Sequence, residues 1–497
     1  MNASSSIASR APQVLLAAFI LLAPLFRSGK IPLAALLLEL LAVAGFLALW
    51  WGTERRILLR RVEVVLLAAL AVFPLLQLLP LPGLSRVDLP GQAEYFLAQQ
   101  AAAVDQGVVT LSIIARETLS GWLMLLVPIA VYLLTRATSV RTLQKLVTLM
   151  LVVATFQAVL GLMQFGSSPS PVFYLGYEYG NGNAVGTYTS RNNFAGFLYL
   201  SLMLSLALFM ATLGRQTPAQ QGRSLRERMQ YYATADGHRA FSYGAIALLL
   251  LLAIIFTRSR TGIVLTLVGV LLVSAVFSRR IGGGNTFGRT GVIVSLAVGL
   301  AIAIGLGTVL ERFTVSGPLS NGRWIIFDGV FEGIGQFFPL GAGTGTFQQT
   351  FARFQDLSQA NYFINRAHNS YLEWIYNGGI VAIALIVGFL ALYFARWFSL
   401  WKRGDWGEFR YIQVGAGLGL LLMLLHETVD YNLFVPANMV YFAFLAGVYL
   451  HPYREPTASR QRTKRKGESA VAPAEEGLRK VALLPQAAEP ERNPFMD

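Results

Sequence analysis

Apolar residues gather along the chain in twelve stretches, at roughly 11–26, 31–51, 62–81, 120–135, 142–165, 192–213, 240–257, 261–278, 290–310, 368–395, 411–427 and 433–451. A helix needs about 20 such residues to cross a bilayer, and it satisfies its own backbone hydrogen bonds while doing so. The pattern predicts an all-α polytopic membrane protein of about twelve transmembrane helices. The first stretch is short, holds Pro24 and follows Arg10, as a signal-peptide core would. It runs into Leu25-Phe26-Arg27 without a small-x-small cleavage site, so it reads as a retained helix.

The polar intervals divide the chain in two. Residues 1–451 form a transmembrane domain with one large outer loop, 311–367. Residues 452–497 carry the basic run Arg460-Gln-Arg-Thr-Lys-Arg-Lys466 and then a stretch rich in Ala, Pro and Glu, which reads as a disordered tail suited to anionic lipid. No repeat of the solenoid kind and no inverted repeat of the transporter kind is visible.

Composition agrees with a membrane solvent. Hydrophobic residues make up 55% of the 497 and charged ones 13%, where soluble domains carry about 25% charged. The absence of cysteine excludes disulfides, thiolate metal sites and cysteine nucleophiles. The net charge of +14 raises the question of nucleic acid, which the placement of the cations answers. With a cytoplasmic N-terminus, the inner connections 52–61, 136–141 with Lys145, 214–239, 279–289 and 396–410 hold 19 Lys and Arg. The outer connections 27–30, 82–119, 166–191, 258–260, 311–367 and 428–435 hold 11, over about twice the length. That bias is the positive-inside rule. It places both termini in the cytoplasm and the loop 311–367 on the outer face, and it leaves no charge that needs nucleic acid to explain it.

Three clusters then fall on the outer face. Phe256-Thr-Arg258-Ser-Arg260-Thr-Gly-Ile263 is a turn so short that both guanidinium groups must lie at or near the membrane surface. An arginine at membrane depth costs about 2.5–3.5 kcal/mol, which something anionic should offset; snorkelling to lipid phosphate is the plainer reading. Ser320-Asn-Gly-Arg323-Trp-Ile-Ile-Phe-Asp328 joins a turn signal to the start of an amphipathic helix. Arg366-Ala-His368-Asn-Ser-Tyr-Leu-Glu-Trp-Ile-Tyr-Asn-Gly378-Gly-Ile380 stands where the large loop meets the tenth stretch. A lone histidine is usually a satisfied polar residue. One at a helix start beside water can also accept a proton near neutral pH.

Other chemistries are poorly served. Pro339-Leu-Gly-Ala-Gly-Thr-Gly-Thr346 lacks the Gly-Lys-Ser/Thr ending of a phosphate loop and reads as a flexible re-entrant or surface segment. His426-Glu427 with Asp430 makes a thin metal set. No Gly-x-Ser-x-Gly elbow occurs, and no Asp-x-Asp pair lies outside. Arginines with one base and no metal suit the departure of a phosphorylated leaving group.

At these residues the chain resembles the O-antigen ligase and polymerase superfamily, inner-membrane glycosyltransferases of bacterial surface-polysaccharide pathways. The resemblance runs from about Tyr188 to Tyr449. It is carried by Asn321-Gly-Arg-Trp-Ile-Ile-Phe and by His368-Asn-Ser-Tyr-Leu-Glu, with support from Thr189-Ser-Arg-Asn-Asn-Phe-Ala-Gly196, His426-Glu-Thr-Val-Asp430 and Asn432-Leu-Phe-Val-Pro436. Ala382 stands where a second glycine is familiar, and the N-terminal third matches only in hydropathy. The resemblance implies a glycan donor on undecaprenyl pyrophosphate, its tail among the helices. Arg260 and Arg323 would hold the pyrophosphate and His368 would take the acceptor proton. Arg258 and Arg191 are further candidates for head-group contact, and Asn369 and Asn193 for substrate binding. No metal, nucleotide sugar or organic cofactor is implied.

The acceptor decides the activity. A polymerase transfers to another lipid-linked repeat, with a chain-length regulator as a partner; this is the expected reading. A ligase transfers to lipid A-core, and a protein-directed relative to Ser or Thr. A twelve-helix secondary transporter is the rival from another class, but its ionisable groups should lie near the midplane rather than at one face. The topology is testable with reporter fusions: sites after Arg215, Arg280 and Lys402 should report cytoplasm, and sites within 320–360 periplasm. A cytoplasmic signal from 320–360 would overturn the assignment of faces.

Overall fold

The computed structural model describes residues 3–52, 57–83, 85–102, 108–166, 182–214, 234–278, 286–304, 322–401 and 406–453. The tail beyond 453, most of the connections 214–239 and 279–289, and Ser320-Asn321 lie outside them. The regular structure among the described residues is helical. In chain order the main helices are α1 (Ala3–Leu22), α2 (Pro32–Gly52), α3 (Arg61–Gln77), α4 (Ala93–Ala101), α5 (Ala115–Ala137), α6 (Val140–Gly166), α7 (Arg191–Gly214), α8 (Ala235–Phe256), α9 (Arg260–Ser278), α10 (Thr286–Ile304), α11 (Arg323–Phe337), α12 (Ser370–Trp401), α13 (Glu408–His426) and α14 (Pro436–Leu450).

Eight of these, α2, α5, α6, α7, α8, α9, α12 and α13, are long and apolar enough to cross a membrane. The other predicted stretches fall on shorter helices: α1, α3, α10 and α14. Residues 26–28 form a left-handed turn, with φ between 50° and 57°, that ends the first stretch before α2.

The core lies where α7 and α13 cross. Each is apolar on all sides, and an all-round apolar helix belongs in a bundle centre. Accordingly 94% of the α7 span and 89% of the α13 span are buried, against 22% for α2 and 28% for α12. Close approach is permitted by small residues: a Cβ on Gly415 of α13 would stand 2.6 Å from Cβ of Ala207 on α7. The peripheral helices leave Trp50, Trp51, Val64, Phe156, Leu271 and Phe398 exposed, a continuous apolar exterior that water would not tolerate but lipid does. At the end of the bundle predicted to be cytoplasmic, Arg396 and Gln413 donate to the carbonyls of Tyr449 and His451. They satisfy the terminal acceptors of α14.

At the other end the large loop folds against the bundle. Helix α11 begins at Arg323, as its Arg-Trp-Ile-Ile-Phe opening predicts, and packs Ile326, Val330 and Phe337 into an aromatic core with Phe347, Phe351, Phe354 and Tyr376. The glycine-rich run after Pro339 is not a loose segment. Ala342 and Gly343 donate to the carbonyls of Tyr376 and Asn377, and Thr344 donates to Oε1 of Gln77. Those amides are engaged within the protein and cannot cradle a phosphate. The same run breaks α12: Gly379 adopts φ 53° and ψ −133°, and a Cβ there would sit 2.0 Å from the carbonyl oxygen of Pro339. Only glycine fits. The break sets the first two turns of α12, and with them His368, against the loop.

Candidate functional site

Asp430 follows the last turn of α13, and its side chain is 1% exposed. A buried carboxylate must be surrounded by donors, and segments far apart in sequence supply them. Asn192, in the first turn of α7, donates Nδ2 to Oδ2 at 2.6 Å. Arg323, the first residue of α11, brings Nη2 to 3.4 Å from Oδ2 and donates Nη1 to the carbonyl of Val429 at 2.6 Å. The backbone N–H of Tyr431 donates to Oδ1 at 2.9 Å. His368 Nδ1 stands 3.8 Å from Oδ1, an electrostatic contact longer than a hydrogen bond, and His426 Nε2 lies 4.0 Å from Oδ2. Burial pushes the carboxyl up, but His368, His426 and Arg323 together outweigh it and hold Asp430 well below the ordinary carboxylate range.

The turn between α8 and α9 joins this centre through Ser259, whose Oγ donates to Oδ1 of Asn192 at 2.8 Å. Ser259 also caps α9 through the N–H of Gly262. Arg260 is therefore the residue after a side chain two hydrogen bonds from Asp430. Arg258 and His368 both hold left-handed backbone, at φ 57° and 53°, uncommon for residues with a Cβ and concentrated at functional sites. Arg191, Arg258 and Arg260 are all partly exposed.

His368 is fixed from two further directions. Its ring meets the Tyr431 ring edge-on at 5.0 Å. The residue after it, Asn369, caps α12 by accepting from the N–H of Leu372 at 3.1 Å. Ser370 donates its N–H to the carbonyl of Glu427 and its Oγ to the Glu427 carboxyl. Asn193 is buried, its amide on Oδ1 of Asn432 at 3.2 Å. Asn369 and Asn193 thus each have a role in holding the chain. The sequence clusters around Asn192, Arg260, Arg323, His368 and Asp430 do come together.

Beside this centre lies a cavity of about 650 Å³. Its walls are mostly apolar, with Leu66, Phe73, Met124, Leu385, Phe389 and Met439 among them. Along α12 the lining runs from Tyr371 to Leu392, on both sides of the break at Gly379. At the loop end it is lined by Lys30, Arg366, Ser370, Glu427 and Tyr431, and at the other by Glu63 and Tyr132.

Sequence reasoning did not single out Asp430, Asn192, Lys30 or Arg366 as site residues. Asn192 and Asp430 stand inside the quoted motifs, which was the available signal. Lys30 lies in the N-terminal third and carried none.

Residues 245–387 match the family model described as O-antigen ligase. The matched segment runs from within α8 into α12 and contains Arg258, Arg260, Arg323, Arg366 and His368. No curated protein matches the chain.

Removing the charge of Asp430 tests its place as the common acceptor. Asp430→Asn should cost about 2 kcal/mol of stability, the scale for charged hydrogen bonds lost from a buried partner, read as a lower melting temperature of the purified protein. A depressed carboxyl contributes fully above its unfolded value of about 3.9 and loses that contribution only as pH falls through the folded value. The deficit should therefore be the same at pH 5 as at pH 7. A deficit that shrinks by pH 5 would show that Asp430 titrates in that range.

Proposed function

We propose, for a chain that residues 245–387 place in the O-antigen ligase and polymerase superfamily, that it transfers a glycan from undecaprenyl pyrophosphate to a sugar hydroxyl at the periplasmic face. The single observation that carries this reading is the pairing of a cation-rich, Asp430-centred cluster with a mostly apolar cavity of about 650 Å³ beside it. A lipid-linked donor needs both, one for its head and one for its tail. The charge bias of the connections puts the cluster outside the cytoplasm and both termini inside, with about twelve spans once α1, α3, α10 and α14 are counted.

In the reaction, the acceptor hydroxyl oxygen attacks the anomeric carbon while the bond from that carbon to the pyrophosphate oxygen breaks. The electron pair leaves with the diphosphate and the hydroxyl proton passes to His368. Asp430 beside Nδ1 favours the tautomer protonated there and leaves Nε2 as the acceptor. A positioned base contributes about 10²–10⁴ in rate. Arg260 and Arg323 face the charge that grows on the leaving group, where a guanidinium fork can hold two phosphate oxygens. Arg258 and Arg191 stand close enough along the chain to add to the head-group contact. Because Arg323 is itself tied to Asp430 and Val429, it is presented rigidly rather than swung in. A single displacement of this kind requires no nucleotide sugar.

We assign the acceptor as a second lipid-linked repeat, the polymerase reading, with a ligase acting on lipid A-core as the alternative. Glycan length separates them: loss of a polymerase leaves single repeats on the acceptor, and loss of a ligase leaves long chains on the carrier lipid.

Purified His368→Gln should transfer far more slowly than the wild type while still binding the lipid-linked donor, since an amide can hydrogen-bond but cannot serve as the base. Arg260→Lys should lose nearly as much transfer as Arg260→Ala, since it keeps the charge but not the fork. Near wild-type turnover by His368→Gln would refute the base, and rescue by lysine would refute the bidentate grip.

A further inference from the structure

Arg260, Arg323 and His368 do not line the cavity; Lys30 and Arg366 do. Lys30 sits between the left-handed turn 26–28 and α2, its Nζ 3.4 Å from Oγ1 of Thr189 and 5.4 Å over the Tyr431 ring. Among the described residues no carboxylate pairs with it. Arg366 has Nη1 on Glu373 at 2.6 Å and its guanidinium 4.5 Å over the Phe434 ring, a geometry that holds the fork in place and leaves other N–H groups for a ligand. Glu373 balances one charge of the two. Three acids line the cavity itself: Glu63 is paired with Arg136 at the far end, Glu427 already accepts from Ser370 and Leu433, and Glu117, in the first turn of α5, makes no ion pair with Lys30 or Arg366 among the described residues.

We propose that Lys30 and Arg366 form a seat for the phosphate of a lipid whose hydrocarbon chain fills the cavity. A mostly apolar cavity with two cations at one end, of which Arg366 is paired with Glu373 and Lys30 makes no ion pair among the described residues, complements an amphiphile with an anionic head, and neither a neutral lipid nor a soluble anion would use both features. Lys30 is open to the cavity yet ringed by protein, and its ammonium is pushed down to about 8, first by burial and then by the charge of Arg366, with Asp430 opposing. An arriving phosphate would relieve that repulsion. Resting on the transfer reading above, the seat takes the phosphate nearer the lipid, while Arg260 and Arg323 meet the one nearer the sugar. Tyr431 stands between the two pairs, with Lys30 over its ring and His368 against its edge. Lys30 and Arg366 are thus positioning residues that set the depth at which the donor stops.

The test is binding of a polyprenyl monophosphate, which has no sugar, to the full-length protein in detergent, with the matching polyprenol and inorganic phosphate as comparison probes. The wild type should bind the lipid phosphate at least about tenfold more tightly than the polyprenol, and inorganic phosphate should not compete at equal concentration. Lys30→Gln should weaken the lipid phosphate about tenfold or more. Arg366→Gln leaves Glu373 buried without its partner, so the informative variant is Arg366→Gln with Glu373→Gln, which should weaken binding similarly at an unchanged melting temperature. Equal binding of phosphate and alcohol, equal binding of inorganic phosphate, or wild-type affinity in Lys30→Gln would each overturn the seat. If Lys30→Gln binds and transfers normally, the seat alone fails. If the lipid phosphate binds through Lys30 but no glycan is transferred, the seat stands and the transfer reading fails.

Discussion

The charge of Asp430, buried at the end of α13, is the constraint on which the site depends. A carboxylate taken out of water must be met by donors, and here they come from the first turns of α7 and α11, from the approach of the segment before α12, and through Ser259 from the turn that opens α9. None of these contacts is strong alone. Together they bring the outer ends of four helices to one point, because moving any one would leave charge or polar surface uncompensated at depth. The fold thereby gathers Arg323, His368 and His426 about one common acceptor.

The remaining architecture can be understood as support for that point. Of the candidate spans, α7 and α13 are the most buried, so the helix ends that carry Asn192 and Asp430 are anchored to the densest part of the bundle. On the opposite side of Tyr431 the packing is open, and α3, α5, α12 and α14 leave a mostly apolar cavity. A rigid polar cluster against an apolar channel is what a reaction at a lipid headgroup requires, since the tail must slide in while the reacting centre stays fixed.

Much of this was legible in the residues. Helix positions followed from apolar runs because a membrane helix has only one way to satisfy its backbone, and the arginines stood out because their placement is costly. The start of α11 at Arg323 was readable from a turn followed by an amphipathic opening. What the sequence could not reveal were relations that exist only after packing. Pro339 to Thr346 looked mobile because glycine leaves the backbone free, yet the amides of Leu340 to Thr344 and of Thr346 found carbonyls or Gln77 in the fold. Asn369 and Asn193 stood out as candidates for substrate binding, and their part in a helix cap and in a contact with Asn432 could not be read from the pattern. Lys30 stands over 300 residues from Arg366, and nothing in a linear pattern says that both reach one cavity. Asp430 looked like one of several scattered acids because burial, which makes it the common acceptor, is not a property of the residue.

The central claim is a single displacement at the anomeric carbon, with His368 taking the proton and the arginines receiving the departing diphosphate. The most direct measurement is the anomeric configuration of the new linkage, determined by NMR on glycan formed by the purified protein from a lipid-linked donor of known configuration. The account predicts inversion. Retention would require an intermediate on the protein and would contradict the mechanism, whatever the acceptor proves to be.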